Sequence, residues 1–86
     1  MSSVDADPAD LRRFAQQLKQ FKSDVEGQLS RLNGQLGSMH WSDAQQRQFA
    51  GQWEASARSM RSFLSSIDQH APYLERKAKQ LEDYLR

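Results

Sequence analysis

The sequence predicts an all-α chain, folded as an antiparallel two-helix hairpin about a central tryptophan-containing turn. Three observations carry that prediction. Apolar residues recur at helical spacing along two long stretches. The patterning stops only in Gly37-Ser38-Met39-His40-Trp41-Ser42-Asp43. And a chain of 86 residues with one break at its middle buries two apolar stripes most simply by folding in half.

The first element is an N-terminal arm over residues 1–6, polar and acidic, expected to be flexible. Helix 1 is expected over residues 7–36. Asp7 suits the N-cap, Pro8 the first helical position, and Asp10 complements the positive end of the helix. The apolar positions are Leu11, Phe14, Leu18, Phe21, Val25, Leu29, Leu32 and Leu36, in steps of three and four. Arg12, Gln16, Lys19, Lys22 and Glu26 fall off that stripe and are expected to be wet. Gly27 inside the helix costs about 1 kcal/mol relative to alanine. Gly34 and Gly37 offer C-terminal caps.

The turn is expected over residues 37–42, with Trp41 closing it against Leu32 or Leu36. A tryptophan half exposed at a tip is also a good contact anchor. Helix 2 is expected over residues 43–85. Ser42 and Gln45 fit a capping box. Trp53, Met60, Ile67, Leu74 and Leu81 recur every seven residues, flanked by pairs such as Phe49/Ala50 and Phe63/Leu64. That seam is broad enough to pack on more than one helix. Pro72 removes a backbone donor, but the seven-residue phase survives across it, so a kinked, continuous helix is expected. At 1.5 Å per residue the two helices measure about 45 Å and about 64 Å. The C-terminal part of helix 2, with Leu74, Ala78, Leu81 and Leu85, is therefore expected to project uncovered beyond helix 1.

Composition limits the function. A hydrophobic content of 37% in so short a chain leaves a marginal core, and oligomerisation is the expected remedy. The net charge of +1 argues against a nucleic-acid binder, which shows a basic face. The N-terminus lacks the basic and apolar regions of a Sec-type signal peptide. No stretch reaches the length of a membrane span, so stable membrane insertion is not expected. There is no cysteine, and His40 and His70 are far apart. No catalytic, cofactor or metal residues are assigned, and an interaction protein is expected rather than an enzyme. The expected core and interface residues are Leu18, Phe21, Val25, Phe49, Trp53, Met60, Phe63, Ile67, Leu74 and Leu81.

The size, the two helices, the absent cysteine and the tryptophan in the turn resemble the WXG-motif family of early-secreted-antigen-like hairpins of type VII secretion. The matching triplet is Trp41-Ser42-Asp43, with aspartate in place of the family's glycine. The resemblance implies antiparallel pairing with itself or a related hairpin, as a homodimer or heterodimer, into a four-helix bundle. It implies a secreted effector, carrier or chaperone subunit, cytoplasmic or exported by a Sec-independent route. The family's Tyr-x-x-x-Asp/Glu export signal is not matched, since Lys77 stands four residues after Tyr73. The alternative is a cytoplasmic helical adaptor or a structural subunit of a secretion apparatus that is not exported.

Overall fold

The computed structural model describes residues 6–85. The expected arm at 1–6 lies, all but its last residue, outside the described residues. Two helices make up the fold, α1 over Pro8–Ser38 and α2 over Ala44–Leu85. They lie antiparallel as a rod of 65 × 17 × 17 Å. The expected all-α hairpin is the fold observed.

The start of α1 follows from its sequence. Asp7 stands in extended conformation, and its carboxylate accepts a hydrogen bond from the Ala9 amide at 2.9 Å. Pro8, which has no amide proton to leave unpaired, occupies the first turn. The end of α1 differs from expectation. No described residue has a positive φ, so neither Gly34 nor Gly37 forms a left-handed cap, and the helix continues to Ser38. The Ser38 hydroxyl donates to the Gln35 carbonyl at 3.1 Å. The chain then leaves at Met39 in extended conformation, an exit that needs no glycine.

At α2 the cap is shifted by one residue from the expected Ser42. The Asp43 carboxylate accepts from the Gln46 amide at 2.9 Å. A carboxylate at that place also gains from the positive helix end, which a hydroxyl does not. The helix then runs unbroken through Pro72 to Leu85.

The core is a narrow zip of small and medium side chains. Ala15 and Leu29 of α1 pack with Ala57, Leu64, Ile67 and Ala71 of α2, and Leu18, Val25, Trp53 and Leu74 lean on that cluster. Ala57, Leu64, Ala71 and Ala78 recur every seven residues and are all buried. Alanine in this column lets the two helices approach closely. Large rings do not fit between backbones so near each other. Phe14 and Phe21, expected on the packing stripe, are therefore displaced to its edge, where about half of each remains exposed. Ala15 takes the place between the helices.

The expected uncovered C-terminal seam is corrected at Leu74, Ala78 and Leu81, while Leu85 remains exposed. Ala78 and Leu81 are buried, and Leu74 packs on the core. Ion pairs join Arg12 to Glu82 and Lys19 to Glu75, so α2 ends beside the start of α1. α2 is 11 residues longer than α1, 42 against 31. Residues 39–43 connect the two helices, and Trp41 reaches Phe49.

Candidate interaction face

The two edges of the hairpin differ in chemistry, because residues two apart on a helix point about 160° away from each other. On one edge, Arg12 and Lys19 of α1 meet Glu82 and Glu75 of α2. On the other, Phe21 of α1 lies against Phe63 of α2, and Phe14 and Phe49 stand one and two sevens from them along the same two helices. The rings of Phe21 and Phe63 touch edge to face, with centroids 6.5 Å apart. That geometry suits the ring quadrupoles.

The charged edge is satisfied within the chain. The hydrogen bonds that the Arg12 guanidinium donates to the Glu82 carboxylate hold its pKa above its ordinary range. Lys22 is a surprise. Its spacing of seven from Ala15 and Leu29 places it in the buried column, not on the wet face. Its ammonium reaches out to the Asp68 carboxylate at 2.7 Å. That hydrogen bond raises its pKa above the ordinary 10.5, against the partial desolvation of the site. A single charged residue in a core column is a register device, because sliding the helices strands it among apolar groups.

The aromatic edge is not satisfied. Phe63 keeps 56% of its surface exposed and Phe14 53%, and Phe21, Leu32, Phe49 and Met60 are each exposed to a similar degree. Of the residues expected as core or interface, Ile67 and Leu81 are buried, and Leu18, Val25, Trp53 and Leu74 are half-buried. Phe21, Phe49, Met60 and Phe63 point outward. The structure thus divides that set into residues that hold the hairpin together and residues that face solvent.

At the turn, the Trp41 ring lies on Phe49 with centroids 5.8 Å apart, and Ser42 and Asp43 follow it into α2. Beneath, Leu32, Leu36, Met39, Phe49 and Trp53 line an open apolar hollow of about 210 Å³. The Trp53 indole donates to the Asn33 side-chain oxygen at 2.6 Å. That bond ties α2 to the last turns of α1. Asn33 carries no apolar signal and was not expected to contribute. Gly27 faces open space, with nothing within 4 Å of a methyl placed there, so no close approach explains it.

Among the described residues no group of His, Cys, Asp and Glu is placed to hold a metal ion. No described helix is long and apolar enough to cross a membrane. What the surface presents is a row of rings along one side of a rod.

Comparison with known proteins gives a consistent result. Residues 3–84 match the model of the WXG100 family, proteins of 100 residues with WXG. The chain is similar to a secreted protein, EsxB, from Bacillus anthracis str. Sterne. The wild-type crystal structure of that protein is 26% identical with a TM-score of 0.79, over 93% of this chain and 88% of that one. A single-residue variant of it gives 25% identity and a TM-score of 0.84, over 96% of each chain. None of the curated proteins matches.

Proposed function

Because the chain belongs to the WXG100 family, we propose that it is a non-enzymatic interaction protein whose aromatic edge docks on a second helical hairpin. The two hairpins lie antiparallel as a four-helix bundle. The observation that carries this is the row of half-exposed rings, Phe14, Phe21, Phe49 and Phe63, along one edge of a rod whose other edge is closed by its own ion pairs. Large apolar groups left exposed along one edge usually mark an interface. The hairpin core is also thin, and a second hairpin would deepen it.

Likeness to a secreted protein supports export by a type VII route, as effector, carrier or chaperone subunit. A second reading keeps the pair inside the cell, as an adaptor or a structural subunit of the apparatus. The basic Lys77 at the fourth place after Tyr73 favours it. Expression of a tagged chain in a type VII-competent bacterium, with and without the membrane ATPase of that system, separates the two. ATPase-dependent appearance in the medium is the expected result. Retention in the cell under both conditions supports the second reading. Pairing is tested by Phe21→Asp with Phe63→Asp, expected to abolish assembly while circular dichroism stays helical. Assembly unchanged by that double variant refutes the proposed edge.

A further inference from the structure

Along the charged edge, the closed ion pairs stop short of the turn. Beside the chain ends, Arg12 meets Glu82 and Lys19 meets Glu75. One further step of seven on each helix sets Glu26 of α1 level with Asp68 of α2, two carboxylates that repel. Lys22 relieves this by taking Asp68 at 2.7 Å. Glu26 is left without a side-chain hydrogen bond among the described residues.

A notch of about 280 Å³ opens at that place, lined by Glu26, Leu29, Ser30, Asn33 and Arg61. Glu26, Ser30 and Asn33 stand at steps of four and three on α1 and so share a face. Arg61 comes from α2. Its guanidinium spends one long contact on Glu54, at 3.5 Å, which leaves most of its donors open. Asn33 is oriented by Trp53. An indole can only donate, so the Asn33 side-chain oxygen faces Trp53 at 2.6 Å and its amino group is turned the other way, a donor for the notch. The Ser30 hydroxyl is a third donor. Buried Leu29 gives an apolar floor.

We propose that this notch binds a small zwitterion of the α-amino-acid class, with its carboxylate held by Arg61, Asn33 and Ser30 and its ammonium by Glu26. The site stands apart from the aromatic edge and does not depend on pairing. Charge decides the class. A simple anion meets the carboxylates of Glu26 and Glu54, and a simple cation meets Arg61 with Arg58 beside it. A ligand carrying both signs satisfies each wall with its opposite. Size decides the rest. Ligand pockets run from about 300 to 1,000 Å³, and this notch lies at the foot of that range. One amino acid fits it, with the carbon skeleton resting on Leu29.

The bond between Trp53 and Asn33 supplies the readout, because a ligand on the Asn33 amino group polarises the oxygen that the indole holds. The full chain, labelled with ¹⁵N, is titrated by NMR at about pH 6, below the α-amino range and above the α-carboxyl range. The probes are L-leucine, N-acetyl-L-leucine, which lacks the cation, and L-leucinamide, which lacks the anion. The Trp53 indole signal is told from that of Trp41 by the variant Trp41→Phe.

With L-leucine, the Trp53 indole and Asn33 side-chain amide signals are expected to shift and saturate, with half-saturation on the order of millimolar. Each blocked probe is expected to bind about ten-fold more weakly, the loss of one charge-assisted contact. Arg61→Gln and Glu26→Gln are surface substitutions that leave the fold in place. Arg61→Gln is expected to weaken L-leucine about ten-fold. Glu26→Gln is expected to remove the preference for L-leucine over N-acetyl-L-leucine. Shifts that grow without saturating, or equal shifts from all three probes, overturn the site. So does saturable binding of L-leucine that both variants leave unchanged, since the ligand then sits elsewhere. Phe21→Asp with Phe63→Asp is expected to leave the titration as it is, so failure of the pairing edge and failure of the notch are read separately.

Discussion

Phe63 and Leu64 are neighbours in sequence with opposite surroundings, and truncating each to alanine separates the two roles assigned to α2. Leu64 is 1% exposed. Leu64→Ala removes its contacts with α1 and leaves a void, a change that costs about 3 to 5 kcal/mol in comparable cores. A domain of this length is held by roughly 4 to 13 kcal/mol in all, so this variant is close to unfolding.

Phe63 has lost only the complement of its 56% exposure. Less than half of a phenylalanine surface of about 200 Å² is then buried. At about 25 cal/mol per Å² that is at most about 2 kcal/mol. Alanine returns about half a kcal/mol through its better helix propensity. The net cost of Phe63→Ala to the isolated hairpin is about 1 kcal/mol. In a pair, the exposed remainder of roughly 110 Å² is also buried, and the cost rises by about 3 kcal/mol per copy.

Urea unfolding followed by circular dichroism, at low and high protein concentration, reads both numbers. At low concentration Leu64→Ala should be the worse variant by about three- to five-fold in free energy. At high concentration Phe63→Ala should lose most of the concentration dependence that the parent shows. Equal destabilisation by the two variants in dilute solution would refute the division between inward and outward residues.

Three further outcomes are expected. Asp43→Ala should cost about 1 kcal/mol in a thermal melt through loss of the α2 cap, and Ser42→Ala no more than about half of that. Gly27→Ala and Gly34→Ala should each stabilise by up to about 1 kcal/mol, because both face open space within α1; a loss on either would show that an unseen surface packs there. The Lys22 contribution has a definite pH sign. Its folded pKa lies above the ordinary 10.5, so its stabilisation is complete below that value and is lost as pH rises through the folded pKa. Denaturation midpoints between pH 9 and pH 12 should fall for the parent, and the fall should be smaller in Lys22→Met.

Most of the fold was legible because the signals were local. Asp7-Pro8 marks one helix start, and the seven-residue recurrence from Trp53 to Leu81 marks α2. What escaped was contingent on distance between the helices. Periodicity ranks Phe14 above Ala15 as a core residue because it counts apolarity, whereas the closeness of the two backbones selects the smaller side chain. The same reasoning placed Lys22 in water, although its long stem lets a charged head leave a buried column. The burial of Ala78 and Leu81 was not legible either. It depends on the register of one helix against the other, which helix length alone does not fix. Bonds such as Trp53 to Asn33 join residues 20 apart and leave no periodic trace.

The alanine column has an effect beyond the core it fills. It leaves Phe14, Phe21 and Phe63 about half exposed, while Arg12–Glu82 and Lys19–Glu75 close a flank with charge. A body made in this way has a valence of one under the pairing proposed above: the ring-bearing side would saturate on a single neighbour, and the charged side would offer no second sticky surface from which a fibre could grow.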